Sequence, residues 1–202
     1  MLGDIMKLSR FRMWSDGEGI STLIAFWGCP LHCKYCANSA CHKEDTPKKS
    51  SNPPELVNKL KQDDIYYKMT GGGIVFGGGE PLMQAKFIKE VCKLADPMWQ
   101  KRIETSLYAE WENISLLVDY IDEWIIDIKD LNPQIYMNYT GKDNDIVIQN
   151  LKSLIAYVPK EKILIRVPFI SGFNLVDDVE RSVKELEVMG FTRIEKFEYV
   201  VL

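Results

Sequence analysis

Short apolar runs alternate with amphipathic segments along most of this chain. The apolar runs have the length of buried strands, and the segments between them carry apolar residues at helical spacing. Amphipathic helices are therefore expected between the strands, for example after Asn52, an N-cap residue followed by Pro53-Pro54-Glu55. The pattern predicts six strands, at residues 22–28, 74–76, 103–107, 124–128, 163–167 and 193–200.

Six strand–helix alternations with short connections indicate a parallel sheet with right-handed crossovers. A complete barrel of this type has eight units, so the pattern favours an α/β fold with an open, partial (β/α)6 barrel. The sequence contains no internal repeat or linker, and residues 1–202 are predicted to form one domain. In parallel barrels the chemistry gathers at the carboxyl ends of the strands, which is where the glycine-rich and polar motifs of this chain fall.

Composition excludes several classes of function. The 202 residues are 46% hydrophobic and 27% charged, which is typical of a soluble domain with one core. A net charge of −4 gives no indication of nucleic-acid binding, and the apolar runs are too short to span a membrane. No secretory signal is visible, and five cysteines do not suggest a disulfide framework. We expect a cytoplasmic, reduced protein without a membrane or nucleic-acid partner.

Three of the cysteines form a tight motif. Cys29, Cys33 and Cys36 have CxxxCxxC spacing. Three thiolates can bind three irons of a 4Fe–4S cluster, and they leave the fourth iron without a protein ligand. The alternatives are a zinc knuckle or a disulfide pair. Zinc takes four ligands, and His32 and His42 are the only histidines in the chain.

The other cysteines and the strand tryptophans have simpler interpretations. Cys92 lies on the apolar side of a predicted helix and is expected in the core. Cys41 and His42 could add a metal ligand, although two residues alone make a poor site. Trp27 and Trp124 belong to strands and are expected to serve packing.

Several further motifs follow one another in a fixed order. They are Asp16-Gly17-Glu18-Gly19, then Gly77-Gly78-Gly79-Glu80-Pro81, Asp127-Ile128-Lys129, Thr140-Gly141 and Arg166-Val167-Pro168. Together with the cysteines, they resemble the glycyl-radical-enzyme activating enzymes of the radical S-adenosylmethionine (SAM) superfamily, to which the pyruvate formate-lyase activating enzyme belongs. The resemblance extends over roughly residues 10–200.

The resemblance implies a cofactor site with one 4Fe–4S cluster and SAM. The cluster would be bound by Cys29, Cys33 and Cys36, and the methionine end of SAM would chelate the open iron. The implied SAM contacts are Tyr35 for the adenine, Gly78, Gly79 and Glu80 for the methionine amine, Thr105 and Ser106 for the ribose or carboxylate, and Asp127, Lys129 and Arg166 for the carboxylate end.

The resemblance also implies the reaction and its partners. A reduced flavodoxin or ferredoxin would pass one electron to the cluster, and cleavage of SAM would give a 5′-deoxyadenosyl radical. That radical would remove a hydrogen atom from a glycine of a partner glycyl-radical enzyme. The loop from Asp16 through Gly17 and Glu18 to Gly19 corresponds to the family's partner-contacting loop. A monomeric, oxygen-sensitive enzyme is expected.

This chain departs from the family pattern at several positions. Glu18 stands where the family usually has proline, and Glu104 replaces an aspartate, which bears on the monovalent-cation site of the pyruvate formate-lyase branch. Val200 stands where a histidine close to SAM is typical. Residues 37–52 are too few and too poor in cysteine for a ferredoxin-like insertion, so a single cluster is expected.

Three other functions remain compatible with the sequence. The first is an activator of anaerobic ribonucleotide reductase, which is also short and has a single cluster. The second is a radical SAM enzyme that acts on a peptide or a small molecule. The third is a non-catalytic cluster-binding module for electron transfer. Cleavage of SAM under reducing, anaerobic conditions would separate the enzymes from the module.

Overall fold

The computed structural model describes residues 1–43, 45 and 48–199. Within these residues, eight strands form one sheet. The strands are β1 (Gly3–Trp14), β2 (Gly17–Phe26), β3 (Lys49–Ser51), β4 (Gly73–Gly78), β5 (Gln100–Thr105), β6 (Glu123–Asp127), β7 (Ile163–Phe169) and β8 (Ile194–Glu198). The α-helices are α1 (Pro53–Leu60), α2 (Asp64–Thr70), α3 (Ala85–Leu94), α4 (Trp111–Ser115), α5 (Pro133–Thr140), α6 (Asp145–Tyr157) and α7 (Val176–Val188).

Six of the strands are parallel and confirm the predicted partial barrel. The sheet order is β3-β1-β2-β4-β5-β6-β7-β8, and every neighbouring pair from β2 to β8 is parallel. Strands β1 and β3 were not predicted, and they add an antiparallel edge beside β2. A signal for β1 was present, since apolar and polar residues alternate from Met6 to Ser9 and again from Phe11 to Met13.

Local signals explain where two of the helices begin and end. The predicted N-cap of α1 is confirmed, since the Glu55 N–H donates to Asn52 Oδ1 at 3.0 Å in a capping box. The helix expected near residues 112–120 is shorter than predicted and ends as α4 at Ser115. Tight turns follow it, in which Leu117 N–H donates to the Ile114 carbonyl. Among the described residues, no helix has the length and apolar character needed to cross a membrane.

The two faces of the sheet differ in character. One face is covered by helices and carries the large core, to which Ile24, Phe76, Ile103 and Ile165 contribute alternate positions of their strands. The other face is the concave lumen of the partial barrel. Its apolar cluster consists of the buried residues Leu23, Ala25 and Val75 with Met6 packed against them. Most of the polar site residues lie on this lumen face.

Candidate functional site

The cysteine loop follows the carboxyl end of β2 and is held by α5. The His32 N–H donates to the Thr140 carbonyl at 2.9 Å, and the Lys34 N–H donates to the Tyr139 carbonyl at 3.1 Å. Gly141 ends α5 in the left-handed region at φ +78°. The Thr140-Gly141 motif therefore terminates the helix that anchors the loop.

The three motif thiols line one cavity of about 120 Å³. It includes every predicted cluster and SAM residue except Tyr35 and Arg166. The lining residues are Cys29, Leu31, Cys33, Cys36, Ala37, Asn38, Gly78, Gly79, Glu80, Glu104, Thr105, Ser106, Asp127, Lys129 and Tyr199. The tertiary structure thus brings the separate sequence motifs together at one end of the parallel strands.

The thiol chemistry of this cavity fits an iron–sulfur cluster. Burial, reinforced by the nearby Glu80, raises the pKa of Cys29 to about 12, and burial also raises the pKa of Cys33. The neighbouring Cys41 thiol outweighs burial at Cys36 and lowers the pKa of Cys36. Iron displaces thiol protons on binding, so loading the site would release protons from Cys29 and Cys33. Soft thiolate ligands suit iron–sulfur clusters.

Gly78 and Gly79 are required by the backbone where β4 meets the cysteine loop. Gly78 has φ +93°, a conformation that other residues rarely adopt. A Cβ at Gly79 would lie 2.0 Å from the Gly28 carbonyl oxygen. The Gly79 N–H donates to the Phe26 carbonyl at 3.0 Å, and the Glu80 N–H donates to that of Gly28 at 2.8 Å. These glycines let the two loops cross closely.

Glu80 is buried and fully hydrogen-bonded within the chain. Its Oε1 accepts from Thr105 Oγ1 at 2.6 Å and from the Leu82 N–H at 3.2 Å. Its Oε2 accepts from the Ser106 hydroxyl at 2.6 Å and from the Ser106 N–H at 2.9 Å. Burial raises the pKa of Glu80, and these donors oppose the shift. The predicted SAM residues Thr105 and Ser106 thus hold Glu80, which makes the three side chains one rigid unit.

Lys129 places a buried positive charge beside the thiols. Its Nζ lies 3.1 Å from Asp127 Oδ2 and 5.4 Å from the Tyr199 ring centroid. Burial lowers the pKa of Lys129, but Asp127, Tyr199 and Cys33 outweigh it, so the pKa lies well above its ordinary value. Asp127 and Lys129 therefore form an ion pair at the cavity wall.

Tyr35 and Arg166 lie outside this cavity. Tyr35 packs edge-on against Phe173, with ring centroids 5.5 Å apart. Arg166 donates to Glu104 Oε1 at 3.2 Å, and both residues line an adjoining cavity of about 410 Å³ that shares Tyr199 with the first. Burial and the carboxylates of Asp16 and Asp127 raise the pKa of Glu104 to about 7.

The turn from residue 15 to residue 19 folds into the lumen. Asp16 is buried and forms an ion pair with Arg12 through both carboxylate oxygens. The Ser15 carbonyl accepts a hydrogen bond from Arg166 Nη2 at 2.8 Å. Gly17, at φ +98°, lies against the guanidinium of Arg102, where a Cβ would be 2.7 Å from Nε. Asp16 and Gly17, predicted to contact a partner, therefore have internal contacts in this structure.

Gly19 packs closely against the backbone, whereas the side chain of Glu18 is exposed. A Cβ at Gly19 would lie 2.5 Å from the Gly72 nitrogen, so this position has to remain glycine. The exposed Glu18 lines a separate basal cavity of about 600 Å³, together with Arg102, Glu123 and Arg193. Arg102 is near the beginning of β5 and Glu123 begins β6. The turn therefore lies towards the amino ends of these strands, away from the cysteine loop.

Several residues of these cavities were not predicted from the sequence. Tyr199 borders both the thiol cavity and the adjoining one, and Asn38 does the same. Arg12 contacts the turn at Asp16, and Arg102 contacts it at Gly17. The position of Arg12 between Phe11 and Met13 was a signal for its place in a strand. Val200, which replaces the typical histidine, lies outside the described residues.

Comparison with known proteins identifies the family. The family model described as "Radical SAM superfamily" matches residues 24–186, which include the cysteines and strands β4 to β7. The chain belongs to the radical SAM superfamily. It is accordingly an enzyme of radical SAM chemistry, with a 4Fe–4S cluster and SAM as cofactors. The predicted superfamily is confirmed.

Two curated relatives are similar along most of their length. The (2S)-3-sulfopropanediol dehydratase activating enzyme of Klebsiella oxytoca is 25% identical, over 99% of this chain and 85% of the relative. The 4-hydroxyphenylacetate decarboxylase activating enzyme of Clostridium scatologenes is 27% identical, over 87% of this chain and 75% of the relative. Both relatives are named as activating enzymes, in agreement with the predicted branch of the superfamily.

A solved structure supports the fold. SuiB of Streptococcus suis bound to S-adenosylmethionine superposes with a TM-score of 0.65 at 16% identity. The match covers 86% of this chain and 39% of SuiB. At this identity the likeness shows the shared fold, so the open parallel barrel is confirmed.

Proposed function

We propose that this radical SAM enzyme activates a partner glycyl-radical enzyme by removing a hydrogen atom from one of its glycines. The main support for this proposal is that curated relatives named as activating enzymes match most of the chain, which includes the residues of the thiol cavity. The proposal treats residues 1–202 as one radical SAM domain without a ferredoxin-like insertion. A single sheet that includes all described strands supports this.

The thiol cavity is the proposed cluster site. Cys29, Cys33 and Cys36 would hold three irons, and their convergence on one cavity supports this assignment. When SAM and the reduced cluster are bound, they supply the radical that removes the hydrogen atom. The polypeptide contributes binding, orientation and exclusion of water.

The proposed SAM site extends from the thiol cavity into the adjoining one. Gly78 and Gly79 offer backbone for the methionine amine, and the unit of Glu80, Thr105 and Ser106 fixes the wall beside it. Asp127 and Lys129 provide opposite charges at the carboxylate end. Arg166 and Tyr199 border the adjoining cavity. Tyr35, which packs against Tyr139 and Phe173 and lines neither cavity, remains the proposed adenine contact.

The partner would contact the turn from Asp16 to Gly19 through Glu18 and the backbone. The side chain of Asp16 is committed to Arg12, and both glycines are packed against neighbours. Glu18 is exposed at the basal cavity, where a segment of another protein could reach the lumen. A basic residue on that segment would complement Glu18 and would mainly guide encounter.

The remaining assignments concern the cellular setting. We propose a flavodoxin or ferredoxin as electron donor, a monomeric state, and a cytoplasmic, anaerobic environment. Three cluster thiols that have to stay reduced support such an environment.

Electron paramagnetic resonance tests the proposal. The protein is mixed anaerobically with SAM, a reductant and a candidate glycyl-radical enzyme. A glycyl doublet should appear on the partner. Adding SAM alone should perturb the spectrum of the reduced cluster, and Glu80→Ala should weaken that effect because the wall around the methionine end loses its anchor. Modification of a free peptide or metabolite without any partner radical would favour the small-substrate enzyme, and a spectrum insensitive to SAM would favour the electron-transfer module.

A further inference from the structure

A tight turn between β7 and α7 packs against Tyr35 of the cysteine loop. We call it the 170–174 turn, after the residues that form it. A Cβ at Gly172, which has φ +82°, would lie 3.7 Å from the Tyr35 hydroxyl oxygen. The Phe173 ring packs edge-on against Tyr35 and Tyr139, with centroid distances of 5.5 Å and 5.1 Å. The turn therefore touches the proposed adenine contact with both its backbone and a ring.

The buried side chain of Asn174 fixes the shape of the 170–174 turn. Its Oδ1 accepts from the Ile170 N–H at 2.6 Å, and its Nδ2 donates to the Pro168 carbonyl at 3.0 Å. The same Nδ2 donates to Asp130 Oδ2 at 3.1 Å. Asn174 is 4% exposed. The amide oxygen and both amide protons are therefore used inside the chain, and they hold the two ends of the turn together.

Asp130 connects the turn to the rest of the barrel rim. It directly follows Lys129, which lines the thiol cavity. Its Oδ1 accepts from the Asn132 N–H at 2.8 Å and from the Ser182 hydroxyl of α7 at 3.3 Å. Together with the Asn174 amide, these donors satisfy a carboxylate that is 2% exposed. The turn is thus tied through one carboxylate to the chain after β6 and to α7.

Asn174 and Asp130 act at a distance from the cavities. Neither of them lines the thiol cavity or the adjoining one. A row of packed rings leads from the turn to both cavities, because Tyr139 contacts Phe173 and also contacts Tyr199, with ring centroids 6.2 Å apart. A change at Asn174 would therefore reach a bound cofactor through the turn and these rings.

We infer that Asn174 and Asp130 are positioning residues for the nucleoside end of SAM, because they keep the 170–174 turn in place against Tyr35. An adenine that enters beside Tyr35 would meet a preformed surface, and binding would not have to order the turn. The methionine end, which belongs to the thiol cavity, would not depend on the turn. The inference rests on the adenine contact of the proposed function, and it is independent of the partner.

Equilibrium dialysis of the reconstituted protein against the two products of SAM cleavage, 5′-deoxyadenosine and methionine, tests this inference. Asn174→Ala should bind 5′-deoxyadenosine about tenfold more weakly than wild type, because the turn would have to be ordered on binding. Its affinity for methionine should be unchanged. Asn144→Ala is the matched control, since the similarly buried Asn144 donates to the Leu131 carbonyl at 2.8 Å, outside the turn. Both of its affinities should equal those of wild type.

An exchange of the two side chains tests the link to Asp130. In Asn174→Asp the amide donors are lost and a second carboxylate faces Asp130, so 5′-deoxyadenosine should bind more weakly. The double variant Asp130→Asn with Asn174→Asp again places a donor opposite an acceptor, and it should recover part of the affinity. Equal affinities of the single and double variants would overturn the role of Asp130.

Hydrogen exchange of the protein without SAM gives a signature of the turn itself. The Ile170 amide and its neighbours in the turn should exchange faster in Asn174→Ala, and at the wild-type rate in Asn144→Ala. Unchanged exchange in Asn174→Ala would overturn the inference. So would an unchanged affinity for 5′-deoxyadenosine, or an equal weakening of both products, which would indicate a general loss of structure.

Tyr35→Leu separates this inference from the proposed function. If Tyr35→Leu leaves the affinity for 5′-deoxyadenosine unchanged, the proposed adenine contact is wrong and the inference is overturned with it. If Tyr35→Leu weakens that affinity and Asn174→Ala does not, only the role of Asn174 is refuted. Absence of a glycyl doublet in a wild-type protein that binds SAM would refute the proposed function alone, because dialysis requires no partner.

Discussion

The helix-covered face and the lumen face of the same sheet are built from different chemistry. On the helix-covered face, alternate strand residues such as Ile24, Phe76 and Ile103 are fully buried in one continuous core. On the lumen face, the apolar residues end with a small cluster around Leu23 and Val75. Beyond that cluster the lumen carries paired charges, which are Arg12 with Asp16, Arg102 with Glu123, Arg166 with Glu104, and Lys129 with Asp127.

The helix-covered face mainly provides stability, and the lumen face mainly positions polar groups. Apolar burial on the helix-covered face supplies the main free energy of folding. Buried ion pairs add little net stability, because desolvation offsets their attraction. The ion pairs of the lumen instead hold polar groups in fixed positions around the cavities. Lys129 lies at the carboxyl ends of the strands, and Arg102 lies near their amino ends. Substitutions on the two faces should therefore affect different measurements.

The largest expected effect is the loss of the iron–sulfur cluster when a thiol of the cavity is removed. Cys33→Ala removes one of three converging thiols, so the reconstituted protein should lose its cluster while its fold persists. Wild type should contain about four irons per chain. Cys92→Ala, on the helix-covered face, is the matched control and should keep them. Iron analysis and circular dichroism measure the two properties, and full iron content in both variants would contradict the assigned ligands.

The second prediction compares two neighbours in β2 that face opposite ways. Ile24→Ala should cost about 4 kcal/mol of unfolding free energy, because it opens a cavity in the continuous core. Leu23→Ala should cost about 2 kcal/mol, because its smaller cluster borders the lumen. Anaerobic urea unfolding measures both values. Equal costs would show that the lumen cluster is as important for stability as the main core.

The third prediction concerns the pH dependence contributed by Glu104. Burial, with the nearby Asp16 and Asp127, raises its pKa from 4.5 to about 7. The folded state therefore holds the proton more tightly than the unfolded chain, and it loses stability as pH rises from about 4.5 to about 7. Glu104→Gln removes this loss. Its stability relative to wild type should be greater at pH 8 than at pH 5, by on the order of 2 kcal/mol.

Unfolding curves of wild type and Glu104→Gln at the two pH values measure this difference. The same carboxyl-to-amide change at the exposed Glu187 of α7, Glu187→Gln, provides the surface control. A difference between the Glu104 proteins that is independent of pH would show that this carboxyl group does not titrate in the stated range.

The smallest expected effect is on partner encounter. Glu18→Lys reverses an exposed charge at the basal cavity, so it should slow association with the partner and weaken the glycyl doublet several-fold at low salt. Cluster content and SAM binding should not change. Glu187→Lys makes the same charge change on α7, away from the turn, and serves as control. Equal weakening by both variants would indicate a general charge effect in place of a contact at Glu18.

Structural features that depend on local sequence patterns could be predicted. Hydrophobic periodicity determined the six parallel strands, because each strand buries residues through its own alternation. The spacing of Cys29, Cys33 and Cys36 predicted that their thiols would converge, since the three cysteines lie within eight residues of one loop and line one cavity. The grouping of residues at strand ends, such as Glu80 and Asp127, could also be predicted, because the carboxyl ends of parallel strands lie at one rim of the barrel.

Only the tertiary structure determined which polar groups contact each other. Arg166 reaches the Ser15 carbonyl, 151 positions away in the sequence, and so ties the turn to the lumen. Asp16 was expected to face a partner but is buried against Arg12, and Cys41, a possible metal ligand, is buried in a turn and does not line the thiol cavity. A carboxylate or thiol can serve many roles, and its partner is selected by the side chains that packing brings within hydrogen-bond distance. Sequence determined the chemical groups of this site, and packing determined their contacts.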